Sequence, residues 1–200
     1  MSPHSLLALL PLAARLRQTV PAAQKLLVVN GHPDPHEARF CAALARAYAQ
    51  GARDAGHAVR ELAAGALPSA LWSDGANPLS DPASAQAIAL LRWAERCTFV
   101  FPLWLNRPPA CLTRLCEAAD WAAGLTGAGA PKPARLVVTM QMPALTQRQR
   151  RGESVPDSLA LAGMAIEEVH FIGCVGLLPR HDQWLGDVEA LGRDAARQAA

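Results

Sequence analysis

From residue 25 onward, short apolar runs alternate with longer segments in which apolar residues recur every three or four positions. The first run, Lys25–Asn30, is almost unbroken and ends at Gly31, which is typical of a central strand buried on both faces. The apolar spacing then predicts a helix over 37–55, which Gly56 is suited to end as a C-cap. Repeated units of this kind predict an α/β domain with a parallel sheet.

The same alternation continues to the end of the chain. Four further strands are predicted at His57–Leu62, Cys97–Phe101, Arg135–Met140 and Val169–Val175. Four further helices are predicted: one that begins at Asp81-Pro82 and ends near Arg96, one through Leu112, Leu115 and Ala119, one over 156–167, and one from about Asp182. The second strand has a mixed pattern that favours a place near the sheet edge. The connection after it is long enough to cover a site.

Residues 1–24 follow a different pattern. An apolar run between Leu6 and Leu12 is followed by Arg15 and Arg17, whereas a signal peptide carries its positive charge first. The run is too short to span a membrane. We therefore expect an N-terminal helical or flexible extension over 1–24 and one domain over 25–200. An amphipathic helix lying on the domain or on a second subunit is favoured over a disordered leader or an upstream start codon.

Composition narrows the class of protein. Of the 200 residues, 51% are hydrophobic and 18% are charged, and the formal net charge is +2. This is a globular balance that gives no indication of nucleic-acid binding. The five cysteines form no CxxC pair, and an odd number favours reduced thiols and a cytoplasmic location over a disulfide framework.

The candidate chemistry lies in the loops after the first, third and fourth strands, because ligands of open parallel sheets bind beyond the carboxyl ends of the strands. The loop after the first strand leads into a helix N-terminus, which favours a phosphate. It contains Gly31 as its one glycine, which disfavours a GxGxxG or Walker-type site. After the third strand, Trp104 beside a proline-containing turn offers stacking area for a flat ring.

Two motifs carry a family resemblance: His32-Pro33-Asp34-Pro35, and Phe101-Pro102-Leu103-Trp104 followed by Pro109-Ala110. With them, the chain from Lys25 onward resembles the flavodoxin-like NAD(P)H:quinone oxidoreductases, a family that includes DT-diaphorase, modulator of drug activity B and the potassium-efflux ancillary oxidoreductases. The resemblance implies a flavodoxin-like three-layer α/β sandwich with a five-stranded parallel sheet of order 2-1-3-4-5. It also implies a homodimer.

The resemblance further implies a flavin site, with FMN as the first choice and FAD as the alternative. NADPH or NADH would be the electron donor and a quinone or similar small molecule the acceptor. The implied cofactor-binding residues are His32, Arg39 and Phe40 near the phosphate, Pro102, Leu103, Trp104 and Leu105 along the ribityl chain and ring, and Thr139, Met140 and Gln141 after the fourth strand. No side chain is assigned as the essential catalyst, and no metal site is indicated.

Several positions depart from the family pattern. Ala38 and Cys41 stand where relatives place a serine and an asparagine, and Leu105 replaces a second tryptophan. Met140 and Met142 stand where relatives have glycines that let the flavin approach the backbone. These departures favour, as the alternative, a regulatory or binding subunit with a degenerate flavin site and little turnover.

An arginine-rich stretch adds one further candidate. Arg148, Arg150 and Arg151 could contact the 2′-phosphate of NADPH, since guanidinium groups match phosphate geometry, or could form a solvated surface loop.

Overall fold

The structure is a computed structural model that describes residues 22–68, 77–105, 107–124, 131–141, 164–177 and 179–195. The predicted N-terminal extension lies outside these ranges except for residues 22–24. The arginine cluster at 148–151 lies outside them altogether. Most of the predicted helix over 156–167 also lies outside them.

The described residues form a five-stranded parallel sheet in the order β2-β1-β3-β4-β5, as predicted. The strands are β1 (Lys25–Asn30), β2 (Ala58–Ala63), β3 (Arg96–Pro102), β4 (Lys132–Thr139) and β5 (Met164–Ile172). The central strands β1 and β3 are buried almost throughout, because each has neighbours on both sides and helices over both faces. The mixed strand β2 lies at one edge, which confirms the place that its pattern predicts.

Helices cover both faces of the sheet and complete the three-layer sandwich. They are α1 (Phe40–Asp54), α2 (Pro82–Trp93), α3 (Ala110–Gly124) and α4 (His181–Arg193), with a short 3-10 turn at Ala64–Ala66. One core cluster joins α2 and α3 to the sheet, and a second joins α1 and α4 to the opposite face. Among the described residues, none of the helices combines the length and the apolar character that a membrane crossing requires.

Local signals set several helix ends. The Asp81 carboxylate accepts a hydrogen bond of 2.7 Å from the backbone N–H of Ser84, and Pro82 takes the first helical position of α2. Gly56 has a φ of +87° just after α1, the left-handed conformation expected of a C-cap glycine. Residues 37–39 form a turn rather than the predicted first turn of α1, whose helix begins at Phe40.

Helices α1 and α4 pack backbone against backbone. A Cβ placed at Gly51 of α1 would come within 1.9 Å of the carbonyl oxygen of Glu189 in α4. The contact therefore requires glycine at this position, since a backbone atom cannot move aside as the end of a flexible side chain can. It fixes α4 over the face that α1 covers.

The predictions for β5 were wrong in their boundaries. The strand begins at Met164, inside the predicted helix over 156–167, and ends at Ile172, before the predicted Val175. Its adjacent glutamates, Glu167 and Glu168, make the segment look solvent-exposed and helical. In the sheet, however, each glutamate forms an ion pair with a buried arginine, the first with Arg96 and the second with Arg135.

All five cysteines are free, as expected, and four of them are buried. Burial raises the pKa of the Cys97 and Cys116 thiols to about 12, so both stay protonated and pack as small apolar side chains.

Candidate functional site

Three loops at the carboxyl ends of β1, β3 and β4 meet around a cleft of about 780 Å³. The cleft brings together every cofactor-binding residue that the sequence predicts, namely His32, Arg39, Phe40, Pro102, Leu103, Trp104, Leu105, Thr139, Met140 and Gln141. Their convergence on one cleft agrees with the rule that open parallel sheets bind ligands at this edge. Their role toward a cofactor stays a prediction.

Two further residues line the cleft: Cys41, which the sequence marks only as a departure from the family pattern, and Val175, which sequence reasoning missed. Cys41 follows Phe40 at the start of α1, where the first turn of the helix faces the cleft, so its position offered a signal. Val175 follows β5, which ends at Ile172. The predicted strand extends to Val175 and so places this residue in the sheet instead of in a loop at the cleft.

The loop after β1 is held by hydrogen bonds among its own residues. The Asn30 side-chain oxygen accepts a bond of 3.1 Å from the backbone N–H of His32. The Nδ1 atom of His32 lies 3.0 Å from the backbone nitrogen of Asp34 and 2.9 Å from its carbonyl oxygen. Whichever of these bonds forms, Nδ1 is engaged. The other ring nitrogen, Nε2, has no partner among the described residues.

Asp34 connects the middle of this loop to the start of α1. Its Oδ1 atom accepts a hydrogen bond of 3.0 Å from the backbone N–H of His36, and its Oδ2 atom accepts one of 2.7 Å from Nε of Arg39. The His36 backbone hydrogen bond and the Arg39 guanidinium hold the pKa of the Asp34 carboxyl below its usual value. The carboxylate therefore keeps its charge and holds the guanidinium at the cleft rim.

The N-terminus of α1 opens into the cleft without a side-chain cap. Arg39 takes the N-cap position and makes no capping hydrogen bond, and the first backbone bond of the helix runs from Ala43 N–H to its carbonyl oxygen. The amides of Phe40, Cys41 and Ala42 consequently have no backbone partner among the described residues. Unpaired amides and the positive end of the helix dipole make this a favourable place for an anion.

Cys41 and Thr139 meet at the bottom of the same end of the cleft. The Cys41 sulfur lies 3.5 Å from the Thr139 hydroxyl oxygen, and both side chains are buried. Burial raises the pKa of the Cys41 thiol to about 11, despite the hydrogen bond with Thr139. The thiol is therefore protonated at neutral pH, which argues against a nucleophilic role.

A tight turn after β3 forms one lip of the cleft. Trp104 and Arg107 exchange backbone hydrogen bonds of 3.1 Å and 2.9 Å, and Leu105 at the tip has a φ of +50°. The left-handed conformation is strained for a leucine. Leu105 is 97% exposed and Trp104 is 52% exposed, so the lip presents apolar surface to solvent. The Trp104 ring meets the His32 ring edge-on, with 5.8 Å between centroids.

The backbone at the floor of the cleft is hydrogen-bonded to the sheet. The backbone N–H of Leu103 donates to the carbonyl of Thr139 at 2.8 Å, and that of Met140 donates to the carbonyl of Ile172 at 2.9 Å. The Met140 side chain is 5% exposed and packs in the core cluster that includes Leu103. Met140 therefore contributes floor to the cleft instead of filling it. Met142 lies outside the described residues.

Two backbone amides of cleft-lining residues remain open. Those of Leu105 and Gln141 have no hydrogen-bond partner among the described residues. Amides in such positions can bind the polar edge of a flat heteroaromatic ligand. Within the described part of the chain, no group of three or more histidines, cysteines and acidic residues is placed to hold a metal ion.

Solved structures with the same fold show where the chain stands among known proteins. It is similar to an NAD(P)H:quinone oxidoreductase from Methanothermobacter marburgensis, with a TM-score of 0.66 at 16% identity over 90% of this chain and 100% of that one. It is also similar to an azoreductase from Bacillus anthracis str. Sterne, with a TM-score of 0.58 at 16% identity over 86% and 98% of the two chains. At these identities the likeness establishes the fold alone.

A third structure contains a ligand. It is an FMN-dependent NADH-azoreductase from Bacillus anthracis str. Ames Ancestor in complex with FMN, with a TM-score of 0.56 at 9% identity over 86% of this chain and 97% of that one. No curated protein sequence matches the chain. A family profile described as flavodoxin-like fold matches residues 24–182, far more than half of the chain. The protein therefore belongs to the flavodoxin-like fold family.

Proposed function

We propose that the protein is a flavin-dependent NAD(P)H oxidoreductase that passes hydride to a quinone or similar small acceptor. The observation that carries this proposal is that one cleft contains both an uncapped helix N-terminus beside Arg39 and an apolar, tryptophan-bearing lip. A flavin mononucleotide needs these two environments, one for its phosphate and one for its ring.

The phosphate end fits a dianionic group. The free amides of Phe40 and Cys41 would donate hydrogen bonds, the helix dipole would supply partial positive charge, and Arg39, whose guanidinium is also paired with Asp34, would supply further N–H donors. The Thr139 hydroxyl lies beside Cys41 at the same end. These groups would bind the phosphate in place of the serine and asparagine that relatives carry at the positions of Ala38 and Cys41.

The ring end fits a flat, largely apolar group. Trp104 and Leu105 form the lip, Met140 forms the floor, and the amides of Leu105 and Gln141 are free to bind the polar edge of the ring. When bound, FMN would supply the hydride-accepting and hydride-donating chemistry. The residues of this chain would bind and orient it, and the donor and the acceptor would reach it in turn. No side chain in the described cleft has to act as nucleophile.

FMN is the first choice of flavin and FAD is the alternative, since an FMN complex is known for one of the structural neighbours. NADPH or NADH would be the donor. A quinone is the first choice of acceptor, in keeping with the name of another neighbour.

The apolar lip also supports a homodimer. Leu105 and Trp104 would be sheltered from water by a second copy of the chain, which would complete one wall of the cleft. The free and mostly buried cysteines agree with a reducing cytoplasmic location.

The test is turnover by the purified protein reconstituted with FMN. NADPH oxidation should depend on both added FMN and an acceptor such as benzoquinone, and it should exceed the rate of free FMN at equal concentration. A protein that binds FMN tightly without such turnover would support the alternative, a regulatory or binding subunit. The features that favour this alternative are the departures from the family pattern at Met140 and Met142, together with Ala38.

A further inference from the structure

Asp34 connects the two charged or polar side chains predicted to meet a phosphate. Its backbone holds Nδ1 of His32, and its carboxylate holds the guanidinium of Arg39. Both carboxylate oxygens are in use, because Oδ1 also accepts the His36 N–H. Neither sequence motif assigns a role to this residue.

The geometry of the Arg39 contact leaves part of the guanidinium free. Nε and Nη2 both approach the same oxygen of Asp34, at 2.7 Å and 2.5 Å. The third nitrogen, Nη1, has no partner among the described residues. Since a guanidinium carries five N–H donors in a rigid plane, pairing along one edge fixes the direction of the other.

A carboxylate near an anion site can act in two opposite ways. It can compete with the anion for the arginine, or it can hold the arginine in place and so reduce the entropy that binding would cost. Here the carboxylate occupies the Nε edge alone and is itself tied to the backbone of His36, so Arg39 keeps an edge for a second partner. The observed arrangement favours the second role.

We propose that Asp34 is a positioning residue that presents Nη1 of Arg39 to the phosphate monoester of a bound ligand. The inference rests on the proposed function for its ligand, the phosphate of a flavin mononucleotide, but the anion site itself can be tested without flavin. Because Asp34 acts through Arg39, removing its charge should have no effect once the arginine is absent.

The test compares Asp34→Asn, Arg39→Met and the double variant with the wild type. Inorganic phosphate serves as the first probe, by calorimetric titration. FMN and riboflavin, which differ by the phosphate group, serve as a second pair of probes. We expect Asp34→Asn to weaken binding of phosphate and of FMN by about fivefold, and Arg39→Met by about tenfold or more, as for loss of a charge-assisted hydrogen bond. Riboflavin affinity should stay unchanged, and the double variant should match Arg39→Met alone.

A matched control is Arg46→Met, which removes a positive charge from the same helix at a side chain that contacts the Glu37 carbonyl. It should leave phosphate binding unchanged. Tighter binding by Asp34→Asn would show competition and overturn the proposal, as would additive effects in the double variant or the absence of phosphate binding by the wild type. The expected phosphate pattern without flavin binding would uphold the role of Asp34 and reject the proposed flavin function.

Discussion

The His32 ring meets the Trp104 ring edge-on, with centroids 5.8 Å apart and the ring planes at 78°. Edge-to-face contacts of this kind are favourable because the positive edge of one ring meets the negative face of another. The contact joins the loop after β1 to the turn after β3, which are 72 positions apart in the sequence by residue number. The two family-like motifs therefore act on one site.

Trp104→Ala tests the ring end of the cleft. Loss of the stacking partner should weaken FMN binding by at least ~1 kcal/mol, about fivefold in the dissociation constant. Flavin fluorescence titration measures the change. Leu79→Ala is the matched control, since Leu79 is also an exposed apolar side chain but does not line the cleft. Equal FMN affinities of Trp104→Ala and the wild type would show that the tryptophan is not part of the site.

Leu105→Gly tests the strain at the lip. Leu105 has a φ of +50° and is 97% exposed, so glycine relieves the backbone without loss of buried surface. We expect the free energy of unfolding to rise by about 0.5 kcal/mol, because glycine's greater entropy in the unfolded chain offsets part of the relief. Urea denaturation measures it. Leu177→Gly, at an exposed leucine without positive φ, should instead destabilise; equal losses in the two variants would contradict the assignment of strain.

Gly51→Ala tests the contact between α1 and α4. The added methyl group would meet the carbonyl oxygen of Glu189, so we expect a loss of about 3 kcal/mol in the free energy of unfolding. Gly186→Ala in α4 is the control, because a Cβ there meets nothing within 4 Å. That variant should gain up to about 1 kcal/mol from helix propensity. A mild effect of Gly51→Ala would show that the helices are not in close contact.

The lowered pKa of Glu168 predicts that the stability of the protein falls at acid pH. Burial by itself would raise the pKa of its carboxyl, but hydrogen bonds from His170 and Arg135 bring the pKa below 4.5. The folded state thus gains stability from this group above pH 4.5 and loses it as the pH falls through the lower, folded-state value. Glu168→Gln should cost about 3 kcal/mol at pH 7, because it leaves the buried Arg135 guanidinium without its counter-charge.

The difference between Glu168→Gln and wild type should shrink as the pH falls below 4.5, as measured by urea denaturation at several pH values. Glu61→Gln provides a comparison, since the ion pair of Glu61 with Arg53 is exposed and should be worth less than ~1 kcal/mol. A difference that stays constant down to pH 3 would contradict the linkage.

Local sequence signals predicted the parts of the fold that depend on local chemistry. The cap at Asp81 and the left-handed Gly56 follow from residue types at helix ends, and the buried β1 follows from its unbroken apolar run. The start of β5 could not be predicted in this way. Its glutamates lie in an edge strand and pair with Arg96 and Arg135, which are distant in sequence.

The candidate site divides in a similar way. The three loops could be predicted from the topology of a parallel sheet and from the two motifs. The hydrogen bonds that Asp34 makes, the packing of Met140 into the core and the place of Val175 depend on side-chain directions and on the true end of β5. Sequence patterns do not carry that information.

The most direct test of the account is a titration of the purified protein with FMN, followed by visible absorbance. The cleft between the His32 loop and the Trp104 turn should bind one FMN per chain and give a perturbed flavin band at about 450 nm, which NADPH should bleach in the absence of oxygen. A protein that leaves the spectrum and fluorescence of added FMN and FAD unchanged would contradict the claim that this cleft is a flavin site.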